Sequence, residues 1–302
     1  MRASDLARLI TLAAIWGASF LFARMAVPSL GAAWLTELRV AIAGIVMTGY
    51  AMALGIRLAP RRHWRHYLFM GVLNTALPWA MYAYAANYIN ASYLGILNAT
   101  TPWFGALAGA VWLGERFTWR KGTGLAIGVA GVALVVGFGP VEVTANVILA
   151  AFACIVSAAC YALGGTYMKL RARDVPAPGM TAGSLIVAAL ALAPALPGPL
   201  PVQLLLDWKI ATAVLGLSLL CSAAAYVLYF RLLADVGPTR SLTVAFLIPV
   251  FAALWGAVFL GEPVGVSTVI GGAVILLATA LVLELGQHPG APRRGTIPAS
   301  RQ

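Results

Sequence analysis

Long apolar stretches alternate with short polar segments along nearly the whole chain, and this pattern predicts ten helices. Most stretches have about 20 residues, enough to cross about 30 Å of hydrocarbon at 1.5 Å per residue. They lack apolar–polar alternation, so helices are favoured over a β-barrel. The polar segment 287–302 is expected to be a disordered cytoplasmic tail. The predicted spans are Leu6–Ala26, Ala32–Leu54, His66–Tyr88, Tyr93–Leu113, Lys121–Phe138, Ala145–Met168, Met180–Leu196, Ile210–Phe230, Ser241–Leu260 and Ser267–Leu285.

Composition supports the membrane as the solvent of this chain. Hydrophobic residues make up 62% and charged residues 10%, with a mean hydropathy of +0.91. Soluble domains have about 45–50% apolar and about 25% charged residues. A soluble fold of this composition would expose large apolar patches. Cys154, Cys160 and Cys221 fall within apolar runs and show no metal-ligand spacing, so buried thiols are expected, with no metal and no cofactor.

The net charge of +11 is explained by membrane orientation better than by nucleic-acid binding. With a cytoplasmic N-terminus, 17 of the 20 Lys and Arg residues fall in cytoplasmic segments. Among the outer loops, Lys209 is the one basic residue, while Arg24 and Arg39 lie within spans. By the positive-inside rule, this bias predicts a multi-pass membrane protein with both termini in the cytoplasm, and the bacterial inner membrane is its expected location.

The chain contains an internal repeat at an offset of 147 residues. Pro102–Glu115 and Pro249–Glu262 both have the pattern P-x(6)-G-A-V-x-L-G-E. Five spans per copy is an odd number, so the second copy enters the membrane upside down. We therefore predict an all-α membrane protein with two inverted five-helix repeats, 1–138 and 139–286, around a central cavity. Such repeats around a midplane site are typical of secondary transporters.

The motifs resemble the EamA-type branch of the drug/metabolite transporter superfamily over about residues 7–285. They are Trp16-Gly17-Ala18-Ser19-Phe20, Arg39, a Gly-rich fifth span and the doubled Pro-to-Glu motif. The counterpart of the Trp-Gly motif departs, because Ser157–Tyr161 keeps only small residues and an aromatic. The resemblance implies a cavity that opens alternately to either side and the export of small organic solutes. It favours amino acids, including aromatic ones.

Polar and aromatic side chains within spans are candidate solute-binding groups, because an unpaired polar group in hydrocarbon costs several kcal/mol. A stripe in the third span ends at Tyr82, and its counterpart in the eighth ends at Tyr229. Such residues also bond packed helices together, so packing is the alternative. The predicted substrate-binding residues are Ser19, Phe20, Asn74, Thr75, Pro78, Trp79, Tyr82, Asn98, Thr101, Trp103, Tyr161, Ser222, Tyr226 and Tyr229.

Two further groups of residues are candidates for gating. Pro102 and Pro249 each remove one helical hydrogen bond, so they are expected to form symmetric hinges or static bends. Arg24, Glu37 and Arg39 lie in the outer halves of the first two spans, where Glu37 could pair with Arg24 in an outer gate. Snorkelling or a structural ion pair is the alternative. Glu115 and Glu262, at two corners, are expected to cap the helices that follow them.

The residues favour transport over catalysis. The spans contain no nucleophile with a histidine and no HExxH motif, so an intramembrane enzyme is disfavoured. Because no base is expected near the span centres, a neutral or zwitterionic solute is favoured over a nucleotide sugar or phosphorylated metabolite. A cationic-drug transporter and a channel remain alternatives. The expected partners are a small-molecule solute and membrane lipids, without nucleic acid; the oligomeric state is open, and a monomer is possible.

Overall fold

A computed structural model describes residues 3–139, 141–241 and 243–283, and this part of the chain forms helices with no strand. The expected tail, 287–302, lies outside the described residues. The α-helices are α1 Ala3–Ala53, α2 Pro60–Gly71, α3 Leu77–Ala85, α4 Ala91–Asn98, α5 Thr101–Trp112, α6 Trp119–Phe138, α7 Ala145–Arg171, α8 Ala177–Leu192, α9 Val202–Leu205, α10 Trp208–Leu215, α11 Ala225–Ser241, α12 Val244–Leu260 and α13 Val266–Val282.

Helix α1 contains the first two predicted spans. Gly31, with φ 74°, divides it into parts 3–30 and 32–53, because a left-handed backbone is open to glycine and strained for other residues. The second part runs in the direction opposite to the first, since Phe20 and Arg24 of the first part contact Tyr82 and Ala86 in rising order along the chain. Its Arg39 lies against Trp79, and just beyond its end the Leu58 carbonyl accepts a hydrogen bond from the Tyr67 hydroxyl at 2.6 Å.

Two π-helical segments interrupt the third and eighth predicted spans. One, Val72–Ala76, joins α2 to α3, and the other, Gly216–Ala224, joins α10 to α11. At the offset of 147 the first segment corresponds to 219–223, inside the second. π turns are rare and occur frequently at functional sites. Each shifts the residues that follow it around the helix, so faces deduced from a 3.6-residue period hold only within one side of the turn.

The two prolines of the repeated motif have different settings. A turn at 99–100 separates α4 from α5, and Pro102 lies in the first turn of α5. Proline is well tolerated there, because its missing N–H would have had no helical partner. Pro249 instead lies inside the continuous helix α12. The two copies of the motif therefore differ, because the first has a helix boundary where the second has an internal proline, and the expected hinges or bends stay a prediction.

Several helices are suited to a bilayer by length and composition. Within the described residues, five helical segments are long and apolar enough to cross a membrane, and two apolar helices are shorter, with 17 residues each. Large apolar side chains also cover the outside, for example Ile45 and Val111, which are 74% and 71% exposed. Hydrocarbon around the protein would remove the cost of exposing them to water.

Small residues allow close helix packing. A Cβ at Gly131 of α6 would lie 2.8 Å from Cγ1 of Ile275 in α13, so only glycine fits there. A Cβ at Gly17 of α1 would lie 2.7 Å from Cβ of Phe251 in α12. Close contact through small residues is the usual way in which helices associate in membranes.

The ends of α5 and α12 lie at opposite ends of the molecule. Helix α12 follows the first part of α1 in the same direction, since Val244 packs with Leu9 and Glu262, two residues after the helix end, bonds Arg24. Helix α4 begins at the same end, because the Ala91 amide bonds Glu262, and it runs antiparallel to α12, since a Cβ at Gly95 would lie 2.6 Å from Cβ of Ala252. Helix α5 continues away from that end. Helix α6 runs back along both, because Trp103 lies against Gly128 and Tyr93 lies against Gly139, just after α6.

Candidate functional site

Arg39 lies at the centre of a cluster of aromatic and polar side chains. Its guanidinium stacks on the Trp79 ring, with the central carbon 3.6 Å from the ring centroid. Its Nε donates a hydrogen bond to Ser222 Oγ at 3.0 Å. The Ser222 hydroxyl in turn donates to the Leu217 carbonyl at 2.8 Å, so its lone pairs are free to accept from Arg39. Ser222 lies inside the second π segment, and Trp79 lies three residues after the first.

This position corrects the expectation for Arg39. Trp79 and Ser222 lie near the centres of the predicted spans His66–Tyr88 and Ile210–Phe230, and Arg39 contacts both. The expectation that no base lies near the span centres is therefore wrong. Gly31 is eight positions away, or about 12 Å along the helix. The position of Arg39 within its own span did not indicate which side chains of other helices it contacts.

Aromatic side chains extend the site from Arg39 towards α4. Tyr161 lies close to the Trp79 indole and stacks on Tyr82, with ring centroids 6.3 Å apart. The Tyr82 hydroxyl donates to Asn98 Oδ1 at 3.1 Å, and Phe20 packs on the Tyr82 ring at 5.6 Å. Tyr226 is also close to the guanidinium. We call this group the central cluster; its members are Arg39, Trp79, Tyr82, Asn98, Tyr161, Ser222 and Tyr226.

A second aromatic group adjoins the central cluster. The rings of Trp16 and Tyr229 lie 5.4 Å apart, and Phe230 joins Tyr229 at 6.3 Å and Tyr226 at 6.0 Å. The predicted stripe of the eighth span thus reaches the first helix through its last tyrosine.

The central cluster is partly exposed. Arg39, Asn98, Tyr161 and Tyr226 are half-buried, whereas Trp79 is only 5% exposed. The terminal nitrogens of Arg39 are not among the described buried side-chain atoms that lack a partner, so a probe of water size can reach them. Among the described residues, no carboxylate forms a salt bridge with Arg39. Its positive charge is therefore left without a described counter-charge.

Other predicted site residues lie outside this cluster. The Trp103 indole donates to Thr279 Oγ1 at 3.0 Å, and its ring fills the space in which Gly128 has no side chain, so it packs α5 against α6 and α13. The remaining ones have local or helix-packing contacts: Ser19 bonds the Trp16 carbonyl, Thr101 bonds the Asn98 carbonyl, Asn74 lies against Gly164, the Pro78 carbonyl accepts from Ser157, and Thr75 is 3% exposed.

The predicted pairing of Glu37 with Arg24 is wrong. Arg24 Nε donates to Glu262 Oε1 at 2.8 Å, and its Nη1 donates to the Ala86 carbonyl at 2.6 Å. Glu262 Oε2 also accepts from the Ala91 amide at 2.7 Å. Glu262 therefore caps α4 rather than the helix that follows it. Glu37 Oε2 is buried and has no partner among the described residues.

Two further features do not join the site. A groove of about 250 Å³ between α5 and α7, lined by apolar residues such as Phe104 and Leu163, lacks the polar groups of the central cluster. In the described part of the chain, no group of three or more His, Cys, Asp or Glu residues could hold a metal ion.

Comparison with known proteins places this arrangement among transporters. The chain is 26% identical over 274 residues to "Uncharacterized transporter YvbV" of Bacillus subtilis, covering 89% of this chain and 87% of the relative. It is 27% identical over 281 residues to an "Uncharacterized transporter" of Archaeoglobus fulgidus, covering 91% and 95%. It is 24% identical over 289 residues to the "Probable terminal-alkyne amino-acid exporter" of Streptantibioticus cattleyicolor, covering 95% of each.

A solved structure has the same fold. Its chain superposes with a TM-score of 0.64 at 19% identity, covering 93% of this chain and 96% of the other. The model of the EamA-like transporter family matches this chain twice, at residues 6–137 and 148–284. Together with the apolar helices, these matches show that the chain is an integral membrane protein and a member of the EamA-like transporter family.

Proposed function

We propose that the protein is an inner-membrane exporter of small zwitterionic metabolites, and that amino acids, including aromatic ones, are its substrates. The observation that carries the proposal is the central cluster, which combines stacked tyrosines, an indole and one guanidinium. Aromatic faces can hold a ring or an ammonium group, worth about 0.5–2 kcal/mol per contact. The name of the Streptantibioticus relative is consistent with this cargo.

The proposed architecture has ten spans in two inverted repeats. The two parts of α1 give two spans, and α2 with α3, α4 with α5, and α10 with α11 give one each. The remaining spans are α6, α7, α8, α12 and α13. Two observations support the repeat: the family model matches each half of the chain, and π segments occupy corresponding positions. The termini would lie in the cytoplasm, as the distribution of basic residues predicts.

Alternating access is the proposed mechanism, because inverted repeats can rock about a site on their shared axis. The central cluster draws side chains from both proposed repeats. Arg39, Trp79 and Tyr82 belong to the first, and Tyr161 and Ser222 belong to the second. A relative movement of the halves would therefore change the site itself.

Counterflow in proteoliposomes tests the function. Purified protein is loaded with unlabelled solute, and uptake of labelled amino acids, amines and nucleotide sugars is measured with and without a pH gradient. Saturable, trans-stimulated amino-acid exchange is expected. Flux that neither saturates nor responds to the opposite side would indicate a channel. Preferred exchange of nucleotide sugars or amines would replace the proposed cargo.

Two substitutions connect this flux with the central cluster. Tyr82→Ala and Asn98→Ala remove the two sides of one hydrogen bond at the edge of the site. Each is expected to slow exchange about 10-fold, corresponding to about 1–1.5 kcal/mol of lost contact, while expression and elution volume stay normal. Trp103→Phe is the matched control, since Trp103 packs elsewhere. Wild-type flux in both variants would remove these residues from the site.

A further inference from the structure

We infer that the transported solute carries a single carboxylate, and that this group binds the terminal nitrogens of Arg39. The inference rests on the proposed function and specifies its substrate. It starts from the charge balance of the central cluster. A guanidinium away from water costs several kcal/mol unless an opposite charge compensates it. Among the described residues, the contacts of Arg39 are neutral: a hydroxyl, an indole ring and nearby phenols.

The hydrogen-bond inventory of Arg39 indicates the same ligand. A guanidinium has five N–H donors, and the described contacts use the one on Nε. The four donors on Nη1 and Nη2 remain, and these nitrogens are not fully buried. Two parallel N–H groups match the two oxygens of a carboxylate, which is the geometry of strong bidentate pairs. Stacking on Trp79 holds the plane of the fork in one orientation.

Charge magnitude favours a carboxylate over a phosphate. A phosphate monoester carries about −1.5 to −2 charges at pH 7. Arg39 supplies +1, and no second base is among its described contacts. A phosphate would leave excess negative charge among aromatic rings, whereas one carboxylate would be neutralised. The tyrosines on the other side of Arg39 would then contact the side chain or ammonium group of the same solute.

The carboxylate is tested with ring-matched solutes. Counterflow is measured with L-phenylalanine, phenylalaninamide and phenethylamine, which share a phenyl ring and an amine but differ in the acid group. Wild-type protein is expected to exchange the amino acid at least 10-fold faster than either analogue. Equal exchange of the amide or the amine would overturn the inference while leaving a transporter. No exchange of any of the three would instead overturn the proposed function.

Substitutions then assign the preference to Arg39. Arg39→Gln is expected to lower phenylalanine exchange about 10- to 100-fold and to reduce the preference for the acid over the amide. Arg39→Lys keeps the charge without the fork and should be intermediate. Arg120→Gln, an exposed arginine at the start of α6, is the matched control. A folded Arg39→Gln protein that still prefers the acid, and is still stabilised by phenylalanine in thermal unfolding, would overturn the assignment.

A separate observation supports a second proposal, about the two ends of the transporter. We propose that the Arg24–Glu262 pair closes one end, and that Arg171 and Glu115 form the equivalent pair when the other end closes. At the offset of 147, Arg171 corresponds to Arg24 and Glu115 to Glu262. The first pair is formed and joins α1, α12 and α4. No salt bridge of the described residues includes Arg171 or Glu115.

The Arg171–Glu115 contact would be weaker than the Arg24–Glu262 contact. The equilibrium between the two closed states would therefore favour closure at Glu262. Glu262 accepts a hydrogen bond from the Ala91 amide, and the residue that corresponds to Ala91 is Pro238, which has no N–H. The end at Glu262 is therefore expected to be closed for most of the time in the absence of substrate. Its opening requires loss of two contacts to Glu262, whereas opening the other end would require loss of one to Glu115.

Thiol labelling from the two sides of the membrane tests this proposal. Ser19→Cys, near the middle of the first part of α1, serves as reporter for a membrane-impermeant maleimide in intact cells and inverted vesicles. The native cysteines are buried, and protein without the reporter gives their background. Glu262→Gln is expected to raise labelling severalfold from one side and lower it from the other. Glu115→Gln should leave the wild-type pattern or strengthen it. Unchanged labelling in Glu262→Gln, or the same change in both variants, would overturn the proposal.

Discussion

The ends of α5 and α12 have the same sequence, Gly-Glu, and the same local backbone. The corner glycines have φ angles of 67° and 63°. In each corner the glutamate amide donates to a glycine carbonyl six residues earlier at 3.1 Å, Glu115 to Gly109 and Glu262 to Gly256. Each carboxylate also folds over that glycine, where a Cβ would lie 2.6 Å and 2.5 Å from Oε2 respectively. Local sequence is therefore sufficient to specify the corner.

The surroundings of the two corners differ. Glu262 is largely buried by Arg24 and by the start of α4, whereas Glu115 is exposed. The helices behind them differ in the same way. Ala252 of α12 is in tight contact with Gly17 of α1. Gly105 of α5 is the residue that corresponds to Ala252, and a Cβ there would meet nothing within 4 Å. One helix pair is closed and its counterpart is separated by a groove, which is the asymmetry that an alternating transporter needs.

The largest expected effect comes from neutralising the buried corner. Glu262→Gln would leave the Arg24 guanidinium without its counter-charge and weaken the cap on the Ala91 amide. Because the Arg24 side chain is 27% exposed, water relieves part of the cost, and a loss of about 1–3 kcal/mol in the free energy of unfolding is expected. Thermal or denaturant unfolding in detergent micelles measures it.

Glu115→Gln is the matched control for that experiment. Its carboxylate is exposed and forms no described salt bridge, so the free energy of unfolding should change by less than about 0.5 kcal/mol. Equal destabilisation by the two substitutions would mean that Glu262 gains no more stability from its contacts than Glu115 does, which contradicts this difference between the corners.

Much of the helical framework could be predicted from the sequence, because it depends on local patterns. Apolar stretches of about 20 residues indicate helices in lipid, and the Gly-Glu motif specifies a helix end. The two π segments could not be predicted, since no local residue pattern distinguished Val72–Ala76 from an ordinary turn of helix. The helix boundary before Pro102 was missed for a related reason: proline at a helix start and proline inside a helix are both compatible with an apolar run.

The candidate site was predictable in its residue types but not in its pairings. Several predicted aromatic residues, including Trp79, Tyr82 and Tyr161, lie together in the central cluster. The side chains that accept hydrogen bonds from Arg24 and Arg39 are Glu262 and Ser222. Neither pair was predicted, because both acceptors come from the second half of the chain. A long side chain can reach several helices, and spacing along one helix does not choose among them. The repeat offset was a usable signal, because it aligns Glu262 with Glu115 and so marks both residues as members of the repeated motif.

The smallest expected effect tests whether the glycines under the two carboxylates matter for their partners. Alanine in place of glycine inside a helix stabilises it by about 0.5–1 kcal/mol. Gly109→Ala should keep that gain, because the Glu115 carboxylate, the group that a Cβ would meet, is exposed and free to move.

Gly256→Ala should lose the gain, because the Glu262 carboxylate is held by Arg24 and the Ala91 amide, and Cβ of Ala91 would lie 3.2 Å from the new atom. Thermal unfolding of the two variants side by side is expected to place Gly109→Ala above wild type and Gly256→Ala at or below it. If both substitutions were equally stabilising, the contacts of Glu262 would have to tolerate displacement of its carboxylate, and the Arg24 pair could not hold that end closed.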